Sequence, residues 1–227
     1  MLRELISIFK ADNPLGRMGD NFSKMLNLTQ AQTLRAGQTF FSKPPSPEEC
    51  TAIYKEDVKV NKLECKIRKQ VIAHLSVAGN SADVPYSLLL MSLVKDVERI
   101  GDYAKNLAEA LDVGAVLPDD DTVAELREIR KGVESTFEAV ADVFATSDEE
   151  GAVELIRQGR DTSHRCDALI NRIAKSDHDA ATTVALTLGT RFYKRIGAHL
   201  LNILSGVVMP LHKLDYYDEK VLNATKR

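Results

Sequence analysis

The chain has 227 residues, 44% hydrophobic, 28% charged and 6% aromatic, with a formal net charge of −3 and a pI near 6.0. Its cysteines, Cys50, Cys65 and Cys166, are odd in number, widely separated and form no C-x-x-C pair, which excludes a disulfide-built scaffold. No apolar run approaches the roughly 20 residues of a membrane span, the opening MLRELISIFK has no small-residue cleavage site, and the charge balance nominates no nucleic acid; a soluble, reduced, cytoplasmic protein is expected.

A short amphipathic segment, Leu2 to Phe9, comes first. Prolines and capping signals then mark out six helices, at about 17–42, 47–78, 84–112, 120–146, 148–176 and 179–209. Ser46-Pro47-Glu48-Glu49 is a capping box with proline at the first helical position, and Ser147-Asp148-Glu149-Glu150 repeats that logic. Asp83-Val84-Pro85 and Asp119-Asp120-Asp121 put carboxylates where a helix dipole favours them. Gly79-Asn80 and Gly114 can take the left-handed conformation that stops a helix. Strand signals are weak, so the fold class is all-α. Rods of this length joined by short loops must run antiparallel to their sequence neighbours. In the third helix Leu93, Val97, Ile100, Ala104, Leu107 and Leu111 step by four and three, the spacing of a bundle seam.

The chain also matches itself. At a constant offset of 96 residues, Arg99-Ile100-Gly101 and Asn106 coincide with Arg195-Ile196-Gly197 and Asn202. A glycine inside a helix costs up to about 1 kcal/mol, so its recurrence predicts close backbone approach in both places. Two tandem three-helix bundles follow, with domains at 1–115 and 116–227. The copies differ in chemistry: Glu98 and Asp102 become Lys194 and Ala198.

Glu98 and Asp102 stand one turn apart beside the third-helix seam. Asp57, Asn61 and Glu64 share a face of the second helix, from which they could meet those acids. An all-oxygen set suits a hard cation such as iron, manganese, magnesium or calcium, and without histidine it favours zinc less. The same spacing fits a solvated face on which Lys95, Arg99 and Lys105 neutralise the acids. No inward pair of Glu-x-x-His motifs exists for a di-iron oxidase, and neither nucleotide-binding glycine signature occurs. Arg191, Lys194, Arg195 and His199 form a basic stretch, read as a solvated face or as a contact for an anion or acidic partner. Lys62, Lys66, Arg68 and Lys69 form a second basic patch without interleaved aromatics.

Lys95-Asp96-Val97-Glu98-Arg99-Ile100-Gly101-Asp102-Tyr103-Ala104-Lys105-Asn106 closely resembles the K-D-x-E-R-I-G-D-x-A-x-N signature of the PhoU family, and Asp57-x-x-x-Asn61-x-x-Glu64 resembles its second-helix motif. The resemblance implies tandem three-helix bundles whose acidic motifs hold iron or other metals. It also implies a non-enzymatic adaptor between a phosphate transporter subunit and a membrane sensor kinase, often dimeric and peripherally associated with the membrane. Carried over by position, the metal ligands would be Glu98, Asp102 and Asp57, with Asn61 and Glu64 beside them. Lys194 and Ala198 break the pattern in the second half, so one metal-competent half is expected. Two rivals stand beside this reading: a metal-dependent helical-bundle enzyme, and a metal-binding structural module without a phosphate role.

Overall fold

The computed structural model describes residues 14–42 and 47–215. The expected segment Leu2 to Phe9 and the cap at Ser46 lie outside the described residues. Six α-helices make up the fold: α1 (Pro14–Phe41), α2 (Pro47–Leu75), α3 (Val84–Glu109), α4 (Asp121–Thr146), α5 (Glu149–Ile173) and α6 (Ala180–Val208), with short 3-10 turns at Asn80–Asp83 and Leu211–Lys213. The described residues contain no strand.

Local chemistry sets most of the helix ends. Asp120 Oδ1 accepts from the Thr122 and Val123 amides at 2.9 and 3.0 Å, Asp148 Oδ1 from Gly151 N at 2.9 Å, and Asp179 Oδ1 from Thr182 N at 2.9 Å. One expected cap is corrected, and a second keeps its place without a cap bond. Ser147 takes a left-handed conformation (φ 53°) that closes α4, leaving the capping of α5 to Asp148. Asp83 makes no cap bond, because its carboxylate is taken by His74 Nε2 at 2.7 Å. Gly79 (φ 100°) and Gly114 (φ 79°) do turn the chain after α2 and α3.

Within α1–α3, and again within α4–α6, each helix packs on the other two, and α3–α6 and α1–α4 contacts join the groups. The predicted α3 seam is buried throughout, from Leu93 to Leu111. It belongs to a hydrophobic cluster that draws on all six helices, with Phe22 and Phe40 of α1 and Tyr193 of α6 fully buried. At the junction, Gly189 lets the Phe40 ring approach so closely that an added Cβ would stand 2.6 Å from its tip.

The crossing of α3 over α6 has local two-fold character. With the repeat offset of 96, Asp96 corresponds to Phe192 and Tyr103 to His199. Asp96 Oδ1 meets His199 Nδ1 at 2.8 Å, and the equivalent contact with roles exchanged, Tyr103 on Phe192, has ring centroids 6.2 Å apart. Tyr103 also stacks on its own counterpart His199 at 5.7 Å. The close approach expected at both repeated glycines occurs at one: a Cβ on Gly101 would sit 3.1 Å from Gln32 Oε1, whereas on Gly197 it would find only ordinary contact with Val133 at 3.8 Å.

Candidate functional site: the charged face of α2 and α3

Antiparallel packing of α2 against α3 gathers Asp57, Glu64, Glu98 and Asp102 on one face. Asp57 and Glu64 are buried, at 8% and 7% exposure, while Glu98 and Asp102 stand further out. Beneath them Gln32 of α1, fully buried, donates from Nε2 to the Gly101 carbonyl at 3.2 Å and ties the helices together where α3 carries no side chain.

Every acid on this face has a cation. Asp57 Oδ2 accepts from Lys105 Nζ at 3.4 Å and from Asn61 Nδ2 at 3.3 Å. Lys105 also reaches Asp102 Oδ1 at 3.2 Å, and Arg99 lies 3.5 Å from Asp102 Oδ2. Glu98 Oε2 holds Lys95 Nζ at 2.6 Å and Arg99 Nε at 3.9 Å. Glu64 Oε1 pairs with Arg68 at 2.8 Å and lies 4.0 Å from Lys95. Burial alone would lower the Lys105 pKa, but the Asp102 hydrogen bond and the Asp57 charge outweigh it and raise the value above that of an ordinary lysine.

The predicted residues Asp57, Asn61, Glu64, Glu98 and Asp102 therefore share a face, with Lys95 and Lys105 standing among them. Among the described residues, no three His, Cys, Asp or Glu side chains gather in a way that could hold a metal ion. The donor set as folded does not fit a cation, because ammonium groups already supply its positive charge.

In the second half, Lys194 pairs with Asp167 of α5. Acid on the second helix and lysine on the third thus recur without a third-helix carboxylate. Arg195 Nε donates to Tyr103 Oη at 3.1 Å, and its guanidinium lies 5.5 Å from that ring's centroid. Two of the three predicted basic contacts are thus engaged within the chain, and Arg191 is exposed. Sequence reasoning missed the Asp96 cluster, in which His199 and Asn202 Nδ2 both bond Asp96 Oδ1 at 2.8 Å. Its only signal was an acid and a polar pair on helices whose contact the sequence does not announce. In the basic patch on α2, Arg68 turns inward to Glu64, while Lys62, Lys66 and Lys69 border an open groove of about 710 Å³.

Residues 22–111 match the PhoU domain family. The chain is 28% identical over 158 residues to the phosphate-specific transport system accessory protein PhoU homolog 1 of Thermotoga maritima, covering 60% of this chain and 65% of that protein. It is 24% identical over 155 residues to an uncharacterized protein of Deinococcus radiodurans, covering 65% of this chain and 56% of the relative. The chain thus spans less than two thirds of either relative's length. The fold is similar to the crystal structure of PhoU from Pseudomonas aeruginosa, with a TM-score of 0.78 at 19% identity, covering 86% of this chain and 95% of that one. It is also similar to the phosphate transport system regulatory protein PhoU from Streptococcus pneumoniae, with a TM-score of 0.75 at 17% identity, covering 85% and 92%.

Proposed function

The chain belongs to the PhoU family, and on that premise we propose that it is a non-enzymatic, cytoplasmic regulator of phosphate transport, acting by contact with a transporter subunit and a sensor kinase. One observation carries the reading: the matched region, residues 22–111, takes in the signature on α3 and the α2 face it meets. The α2–α3 face is a ladder of ion pairs on rigid rods, suited to presenting a fixed charge pattern to a partner. Such a regulator signals by preferring one state of its partner, since only differential affinity shifts an equilibrium. Deleting the gene should leave phosphate-uptake genes expressed under phosphate sufficiency. Normal repression in the deletion strain, with or without a newly found turnover activity, would transfer the case to the enzyme or structural rival.

Metal binding through Glu98, Asp102 and Asp57 is proposed as a conditional state that requires displacement of Lys95 and Lys105. Metal analysis of the purified protein tests it: bound iron or another divalent ion should be lost from Glu98→Ala/Asp102→Ala. Metal-free wild type, or equal content in both, removes the proposal. We also propose 1–115 and 116–227 as the domain division, for which first cleavage near Gly114 in limited proteolysis is the expected sign.

A further inference from the structure

The side of α2 turned away from the bundle carries two parallel rows. Lys55, Lys59, Lys62, Lys66 and Lys69, spaced by four and three, are all exposed and form a line about 21 Å long at 1.5 Å per residue. None of the five meets a carboxylate among the described residues, although Lys66 reaches Asn21 Oδ1 at 3.1 Å. The acids of the helix are committed elsewhere, Glu56 to Arg35 at 3.3 Å, Asp57 to Lys105 at 3.4 Å and Glu64 to Arg68 at 2.8 Å.

The second row lies one residue before each lysine and so runs beside the first on the helix surface. It carries Tyr54, Val58 and Cys65, and Ile72 extends it; Val58 and Ile72 are 50% and 63% exposed. The two polar members of the row fold away from it. Asn61 Nδ2 donates to Asp57 Oδ2 at 3.3 Å, and Arg68 turns to Glu64. What the row offers outward is therefore mostly apolar. The open groove of about 710 Å³ is lined from both rows, by Val58, Asn61 and Cys65 on one side and Lys62, Lys66 and Lys69 on the other.

We infer that this face of α2 docks an amphipathic helix of a partner protein, whose apolar stripe lies on the row from Tyr54 to Ile72 and whose carboxylates, set along one edge of that stripe, meet the lysines. Two rows at four-and-three spacing match the side-chain rows of another helix, and five unpaired ammonium groups select carboxylates over basic edges. A flexible polyanion would leave the apolar row uncovered. A bilayer is a poorer occupant, because Tyr54, Val58 and Ile72 are the only large exposed apolar side chains among the described residues of α2, too narrow a face to enter lipid. Nucleic acid finds neither an arginine fork nor a stack of rings in the lysine row. This docking deepens the proposed regulatory contact and rests on that reading for its cellular role.

The probe is a fluorescent helical peptide of about 18 residues, with leucines spaced by four and three and each followed by glutamate, read by anisotropy on the full chain. Wild type should bind it at about 50 mM salt and weaken about tenfold or more by about 500 mM. Lys62→Glu/Lys66→Glu/Lys69→Glu should weaken binding about 100-fold or more with unchanged circular dichroism, and Val58→Ser/Ile72→Ser about tenfold. A peptide with glutamine in place of leucine should bind wild type about tenfold more weakly. Saturating peptide should slow thiol labelling of Cys65 about fivefold or more, a readout that needs no substitution in the protein. Absent binding, binding that survives the lysine reversals, equal affinity for the leucine-free peptide, or unchanged Cys65 labelling overturns the inference. So does lysine-dependent capture of acidic phospholipid vesicles by a protein that ignores the peptide. In a deletion strain the lysine variant should fail to restore repression of phosphate-uptake genes. Restored repression would overturn the docking role and leave the regulator standing, whereas normal repression in the deletion strain itself would remove the regulator and leave the peptide result to decide the docking face.

Discussion

Replacing Lys105 with methionine keeps the aliphatic stem and removes the cation shared by Asp57 and Asp102. At 3.4 Å and an effective dielectric near 20, the gross attraction between Lys105 and Asp57 is about 5 kcal/mol. The two side chains are 24% and 11% exposed, so screening and the cost of desolvating both groups cancel most of it, leaving a net coupling of about 1–2 kcal/mol. A double-mutant cycle of Lys105→Met and Asp57→Asn, followed by urea unfolding, isolates that term from the Asp102 contact. The pH dependence has a definite sign. Because the folded-state pKa is raised above the ordinary 10.5, the contribution is complete below that value and is lost as pH rises through the folded one. Coupling below about 0.3 kcal/mol at neutral pH would refute the view that this face is held by its ion pairs rather than merely decorated with them.

Three further outcomes follow from buried groups. Tyr193 Oη is buried without a hydrogen-bond partner, so Tyr193→Phe should leave stability unchanged or raise it by about 1 kcal/mol in urea unfolding; a comparable loss would mean that the hydroxyl is bonded in solution. Burial, and then the nearby Asp96 charge, raise the Asp215 pKa against the opposing pull of His199, which disfavours its ionised form. Asp215→Asn should therefore stabilise the protein at neutral pH, with the gain disappearing as pH falls below the ordinary 3.8; equal melting temperatures at neutral pH would contradict this. The Cys166 thiol is buried and its pKa pushed up to about 12, while Cys65 is exposed. Thiol labelling of the folded protein should modify Cys65 readily and Cys166 only on unfolding, and rapid labelling of Cys166 would contradict its placement.

The six rods were legible because their signals are local. Proline spacing, a four-and-three seam and capping aspartates act within one turn, and the predicted boundaries fall within a few residues of those observed. Ser147 was misassigned for a reason of the same scale, since its neighbour Asp148 takes the capping role, while Asp83 does stand at the start of α3 but gives its carboxylate to His74. The charged face was half legible. Periodicity placed Asp57, Glu64, Glu98 and Asp102 on neighbouring rods, but periodicity does not say whether Lys95 and Lys105 point outward or fold back between them. Cross-helix pairs such as Lys194 with Asp167, and the Asp96 cluster, depend on helix rotation and crossing, for which no short stretch of sequence carries a code.

The exchanged contacts where α3 crosses α6 bear on how freely the two halves can change. Were the halves separate molecules, one substitution would appear twice in their joint interface, and any mismatch would count double. A covalent tether removes that constraint: one position holds an aspartate against an imidazole while its counterpart holds two aromatic rings. Such a duplicated protein can keep one half as a scaffold and let the other drift toward a new specificity without losing its partner to dilution.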